Sequence, residues 1–427
     1  MMLRTYFKNV SFLVIINFLV KPIWVFVIDR QFQLWLGQAA YGHYFVYLNM
    51  VYILSVILDL GLHNFAVKSI SEDDSSRSEF ISNLWLSKTI LCAVYLVLVL
   101  ILILVQGLTF FEGIVFLLVS IEMMIFSIYQ FFRMIVQGLQ FHREDSLLSS
   151  LDRIFLILIG GSILILWRET SPFGLTSYIG FHILAYLLSI FVALYYFRKE
   201  ISFDIRSSHR IAVFKIIKAA APLTLITLLM TIYTRMDAIL VKYFLENGDV
   251  LNGSLAYSNR IIDSGYNALA LFSVFLLPTV ARHHLSELSE YARRVVLFSG
   301  IAVTGIALSF ILGCLIFSEE IYAKLYPAST TMDIDVFQIQ LWSILGVGWM
   351  YVFGSYLTAT SRYRALIAIA IFGVLLSVLC NYVLLIKYQL IGSAYASSIV
   401  QISVGSANLF VAIYYLYYHR KSTAKTI

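Results

Sequence analysis

Arg235 and Asp237 stand inside the apolar run 221–241. With Leu223 at the edge of the hydrocarbon, a rise of about 1.5 Å per residue carries Arg235 roughly 18 Å inward. That is past the middle of a core about 30 Å thick. A charge at that depth costs a few kcal/mol or more unless it faces protein or water. A simple anchor helix would not carry two, so the sequence predicts a polar interior within the membrane.

Other apolar runs carry charge as well. The bases are Lys21, Lys88, Arg133, Arg153, Lys242 and Arg260, and the acids are Asp59, Glu112, Glu122, Asp152 and Asp263. Residues near span ends (Asp59, Lys88, Glu112, Arg133 and Lys242) can reach the interface along their own stems. Lys21, Glu122, Arg235 and Arg260 lie deeper and need partners or water. Spacing suggests some of these. Arg260 and Asp263 are i, i+3 and can pair on one helix face. Arg235 and Asp237 are i, i+2 and point apart, so each must look to another helix or to a cavity. Gln130, Arg133 and Gln137 share one face, and Arg235 and Lys242 share another two turns apart. Such cationic, amide-rich stripes suit an anionic ligand, through Lys21, Arg133, Arg153, Arg235 and Arg260. Glu122, Asp237 and Asp263 are candidates for carrying a coupling proton or sodium ion, or for bridging helices. Tyr233, Tyr257 and Tyr266 lie beside the stripe and offer faces on which a sugar ring could stack.

Signs of an enzyme are thin. There is no phosphate-cradling glycine loop and no Cys/His cluster with metal-ligand spacing, so no cofactor or metal is expected. The segment His142-Arg143-Glu144-Asp145 reads as a solvated cytoplasmic turn, and His283-His284 has no acid partner at a telling distance. No outer loop exceeds about twenty residues. Cys92, Cys314 and Cys380 all fall inside apolar segments and read as small core residues.

The elements that must position these residues are membrane helices. The 427 residues are 60% hydrophobic and only 13% charged, with mean hydropathy +0.87. A water-soluble chain could not cover that much apolar surface. The first apolar segment follows Arg4 and Lys8 without a small-residue cleavage site, so it reads as a retained helix. About twelve runs are long enough to span. Their approximate cores are 10–29, 44–62, 82–105, 109–137, 148–167, 175–197, 219–245, 253–279, 294–317, 336–360, 365–386 and 393–418. Gln106-Gly107-Leu108 joins two of them as a tight hairpin, the glycine supplying the turn. With both termini on one side, that side holds about nineteen Lys and Arg, while Arg30, Arg168, Lys324 and Lys387 are the four opposite. An asymmetry of that size places both termini in the cytoplasm and accounts for the basic pI without nucleic acid.

The most basic loop, Arg198 to Lys218, divides the chain into two sets of six helices, 1–208 and 209–427. The glycine pairs Gly37/Gly42 and Gly248/Gly253 recur at a fixed offset about half the chain long. A duplicated six-helix unit is a common transporter plan, with the binding site between halves.

Several segments resemble one family. They are Trp35-Leu-Gly-Gln-Ala-Ala-Tyr-Gly-His-Tyr44, Leu58-Asp-Leu-Gly-Leu62 with Lys68, Ala221-Pro222, Tyr233-Thr-Arg-Met-Asp237, Ala256-Tyr-Ser-Asn-Arg260, Leu277-Pro278 and Ile391-Gly-Ser-Ala-Tyr-Ala396. Their order and spacing resemble the Wzx-type polysaccharide flippases of the multidrug/oligosaccharidyl-lipid/polysaccharide exporter (MOP) superfamily. The resemblance implies an all-α polytopic membrane protein of twelve to fourteen helices, in two halves around a central cavity. It also implies a bacterial inner-membrane location, and an O-antigen or related glycan carried on undecaprenyl pyrophosphate. A glycan polymerase and chain-length proteins would be its partners. The family's Arg-x-Asp maps onto Arg235 and Asp237. The chain departs at Leu34-Trp35-Leu36, where the family often has an Arg; here Arg30 lies further back and Lys21 would supply the charge. Two other functions fit the same broad outline: an organic-cation antiporter, for which deep acids should dominate, and a membrane glycan polymerase or ligase, which the short outer loops disfavour.

Overall fold

The computed structural model describes residues 20–63, 66–67, 70, 77–166, 174–198, 210–283 and 289–418. The start of the first expected span (10–19), Lys68, most of the central basic loop (199–209) and His284 lie outside the described residues. Among the described residues the elements are all helical. They are α1 (Val20–Asp59), α2 (Arg77–Val105), α3 (Phe110–Gly138), α4 (His142–Leu166), α5 (Leu175–Tyr196) and α6 (Arg210–Phe244). Then follow α7 (Gly248–His283), α8 (Ser289–Ile316), α9 (Ser318–Leu325), α10 (Thr331–Ala359) and α11 (Tyr363–Tyr418). Nine of these helices are long and apolar enough to cross a membrane. The chain is a multi-pass membrane protein.

Two compact units make up the chain, 1–224 and 225–427, and the division falls inside α6. In the first unit, Gly107 adopts φ +61° and turns α2 into α3, as the hairpin reading expects. Thr109 and Glu112 then form a reciprocal capping box at the start of α3, satisfying helix-end N–H groups that lipid cannot.

The sequence reading is corrected at residues 30–43. An outer loop was expected there, carrying Arg30. Instead α1 is helical from Val20 to Asp59, broken only at Gly37, where φ is +75° and ψ 166°. One extended glycine replaces a loop because glycine alone adopts that conformation cheaply. A second single-residue break falls at Gln389 (φ 51°, ψ −131°) inside α11, here at a residue that carries a Cβ. A 56-residue helix would be roughly 84 Å long, nearly three bilayer cores, so the break at Gln389 is where α11 divides.

In the second unit α10 and α11 touch backbone to backbone. A Cβ on Gly346 would lie 2.1 Å from the Gln401 carbonyl oxygen, and one on Gly405 would lie 2.3 Å from the Gly346 carbonyl oxygen. Small residues let membrane helices approach this closely and gain packing that lipid does not supply. Gly346→Ala should therefore lower stability by about 1–3 kcal/mol through overpacking, outweighing the roughly 1 kcal/mol that Ala gains in helix propensity. Thermal unfolding of the purified protein in detergent checks this, and an unchanged or raised melting temperature contradicts it.

Candidate functional site

The first unit buries charge in three places. The deepest lies on α1, α3 and α5. Glu122, 4% exposed on α3, is 2.8 Å from Nδ1 of His182 on α5. The Tyr44 hydroxyl sits 3.5 Å from both Glu122 oxygens, at the limit of a hydrogen bond. Rings of Trp24, Tyr178, Phe181 and Tyr186 surround the imidazole, and its Nε2 is buried with no hydrogen-bond partner among the described residues. Beside it the Tyr178 hydroxyl donates to Asp29, which is fully buried. Asp29 ends a π-helical turn, Trp24–Asp29. Neither Asp29 nor His182 was singled out from sequence. Asp29 falls at the end of an expected span, where a charge looks harmless. The legible signal for His182 was a lone imidazole in the middle of an apolar helix.

The second place is cationic. Lys21 of α1 lies within electrostatic reach of Arg153, Asp152 and Arg133. Arg153 Nε is 3.5 Å from Asp152 Oδ2. Lys21 is half-buried and makes no ion pair among the described residues. The structure thus brings together three of the cations expected from sequence. Asp152 and Asp145 lie among them, and Asp59 and Glu122 are the next acids along the same groups.

The third place joins that cluster at the end of α3. Arg133 donates through Nε and a terminal nitrogen to Asp145 Oδ1, at 3.2 and 3.1 Å, and through its other terminal nitrogen to Gln130 Oε1 at 3.0 Å. Gln137 Nε2 donates to Asp145 Oδ2 at 3.0 Å, while Gln137 Oε1 accepts from His63 Nε2, also at 3.0 Å. The expected face of Gln130, Arg133 and Gln137 is therefore a single network. The reading of His142–Asp145 as a solvated turn is corrected: these residues open α4, and Asp145 is 7% exposed. Two donors on the α3 face compensate its burial.

In the second unit Asp237 of α6 accepts from Asn381 Nδ2 at 3.0 Å and from Ser397, both on α11. Arg235, two residues away, is half-buried and lies with Asp263 within reach of the Tyr266 and Tyr351 hydroxyls. The two residues do point apart. Two expected pairings fail. Among the described residues the Asp263 carboxylate makes no ion pair, so Arg260 and Asp263 are not bridged; neighbours on one face can still hold their heads apart. Lys242 leaves the Arg235 stripe for Asp249, 3.1 Å away at the start of α7. Of the three tyrosines, Tyr257 stacks on Tyr326 with centroids 4.0 Å apart, and Tyr266 bonds Ser343 at 2.6 Å. Tyr233 lines a cavity.

His63 stands beyond the end of the α1 span. Burial holds its imidazole below the ordinary value of 6.5, and Arg133 adds to this. Asp59, the Gln137 bond and Asp145 oppose the shift. The folded state thus prefers neutral His63, whose Nε2–H the Gln137 bond uses. A group depressed on folding contributes stability above its unfolded pKa that is lost as pH falls. Thermal stability should therefore drop as pH falls through about 6.5, and His63→Asn should flatten that part of the profile. A profile unchanged by the substitution would show that His63 carries none of it.

Residues 6–284, well over half of the chain, match the family model described as polysaccharide biosynthesis protein. An uncharacterized membrane protein of Methanocaldococcus jannaschii is 24% identical over 199 residues, and the match covers 46% of each chain. The chain thus spans about half the length of that curated relative. Solved structures are similar over nearly the whole chain. An inward-facing multidrug-resistance MATE transporter of the MOP superfamily has TM-score 0.72 and 14% identity, covering 93% of this chain and 96% of its own. The lipid II flippase MurJ, in an inward closed conformation, has TM-score 0.69 and 16% identity, covering 93% and 87%. A MOP-superfamily transporter from Pyrococcus furiosus has TM-score 0.69 and 14% identity, covering 96% and 94%. At such identities the likeness establishes the fold: the chain belongs to the polysaccharide biosynthesis protein family and has the fold of the MOP superfamily.

Proposed function

We propose that the protein is a flippase for a glycan carried on undecaprenyl pyrophosphate, moving it from the cytoplasmic to the periplasmic leaflet of a bacterial inner membrane by alternating access. The reading includes twelve crossings with cytoplasmic termini, supported by the distribution of Lys and Arg. The observation that carries it is the convergence of Lys21, Arg133 and Arg153, with Lys21 half-buried and in no ion pair among the described residues. A pyrophosphate cannot enter hydrocarbon alone. Cations already held in place replace its hydration, and Arg adds bidentate contacts. In the second unit Arg235 and Arg260 are cations of the same kind, suited to an anionic ligand. The lipid tail needs no site, because it can stay in the bilayer. MurJ, whose name records lipid II as its substrate, shares the fold. A glycan polymerase and chain-length proteins are the partners this role implies.

Glu122 or Asp237 is the candidate carrier of a coupling ion. Each is an acid within a span whose hydrogen bonds run to another helix, to His182 and to Asn381. Such buried acids also favour the second reading, an organic-cation antiporter, in which they would bind the substrate itself. Asp263 belongs with them as a carboxylate that makes no ion pair among the described residues.

Export of a surface glycan in cells lacking their own flippase separates the readings. Lys21→Ala and Arg235→Ala should each reduce export about ten- to hundredfold, the loss of one charge-assisted contact. Arg235→Lys should keep part of the activity and Arg235→Glu should abolish it. Full export by both alanine variants would sink the cationic reading, and no glycan export by the unaltered protein would favour the antiporter.

A further inference from the structure

The second unit holds a small cavity of about 180 Å³ among α6, α7, α10 and α11, below the roughly 300–1,000 Å³ of drug-sized ligand sites, so it takes at most a small group. Among the described residues that line it none is charged. Its apolar surfaces come from Met230, Tyr233 and Met350 together with aliphatic side chains, and its polar groups come from Ser273, Tyr351, Ser355, Thr358 and Asn408.

Three of those polar groups are uncommitted. Asn408, 2% exposed, donates through Nδ2 to the Val404 carbonyl one turn back, which fixes the amide. Its Oδ1 is buried and has no hydrogen-bond partner among the described residues. The Ser355 and Tyr351 hydroxyls likewise make no hydrogen bond there. A buried amide oxygen is costly to leave unbonded, so it offers an acceptor to a donor on a ligand.

Gly354 keeps that oxygen open. It ends a π-helical turn, Met350–Gly354, and a Cβ there would lie 3.5 Å from Asn408 Oδ1. An alanine would sit in ordinary contact and cover the oxygen. The π turn also widens α10 where it borders the cavity, a common device at functional sites.

We infer that this cavity is a subsite for an uncharged sugar residue. A pyranose has apolar C–H faces, which Tyr233 and the methionines would cover. Its rim of hydroxyls can both donate, to Asn408 Oδ1, and accept, from Ser355 and Tyr351. A phosphate or an ammonium group would find no counter-charge. A bare hydrocarbon chain would leave the amide oxygen unbonded. This inference rests on the flippase reading for its biological meaning, but sugar binding can be measured apart from transport.

The test uses the full chain in lipid nanodiscs and saturation-transfer NMR. The probes are the methyl glycosides of glucose, galactose, mannose, rhamnose and N-acetylglucosamine, with 1-octanol as a hydrocarbon probe. At least one glycoside should bind the unaltered protein, and Asn408→Leu and Gly354→Ala should each weaken it about tenfold, one hydrogen bond's worth. Gly354→Ala creates no clash, so loss in that variant is not loss of fold, and an unchanged melting temperature checks it. No glycoside binding, binding indifferent to both substitutions, or a cavity that takes octanol and no sugar overturns the subsite. Export measured in parallel keeps the two ideas apart. If the unaltered protein exports glycan and Asn408→Leu does so equally well, the subsite falls and the flippase stands. If it exports none while glycoside binding depends on Asn408, the flippase falls and the subsite stands.

Discussion

Hydrocarbon offers no hydrogen bonds, and the rest of this structure follows from that constraint. Each polar group in a span must find its partner within the chain or face a water-filled space. The first unit meets the demand with contacts between helices. Glu122 on α3 takes His182 on α5, and Asp29 on α1 takes Tyr178 on α5. Lys88 on α2 donates to the Leu58 carbonyl at the end of α1 and to Ser127 on α3. Such contacts contribute little net energy when made and cost several kcal/mol when one partner is removed. They therefore set the rotation and register of the helices more than they add stability.

The two units solve the problem with different chemistry. The first pairs an acid with an imidazole and, apart from them, gathers Lys21, Arg133 and Arg153 beside Asp152 and Asp145. The second gives Asp237 an amide and a hydroxyl as hydrogen-bond partners and encloses a cavity with no charge among its described lining residues.

Irregular backbone appears where this chemistry is. The π turn Trp24–Asp29 places Trp24 against His182 and buries Asp29. The π turn Met350–Gly354 borders the neutral cavity. In a membrane such departures persist where protein or a cavity, and not lipid, takes up the freed backbone groups. The other interruptions among the described residues are brief: single residues at Gly37 and Gln389 and the turn at Leu341 and Trp342 within α10.

Much of this was legible in the chain itself. Apolar run length determines membrane helices, because bilayer thickness sets a minimum span. The Gly107 turn and the shared face of Gln130, Arg133 and Gln137 follow from local backbone sterics and helical periodicity. Partners were not legible. That Asp145 is buried against Arg133, that Lys242 turns to Asp249, and that Asp263 stays apart from Arg260 all depend on which helices are neighbours. Asp29, His182 and Asn408 looked ordinary for the same reason. Each is a single polar residue whose role comes from residues tens or hundreds of positions away. The sequence by itself determined how many polar groups enter the membrane and on which helices, since periodicity and hydropathy are local. Only the tertiary structure decided which of them meet, since that depends on helix rotation and on close contacts such as Gly346 against Gln401.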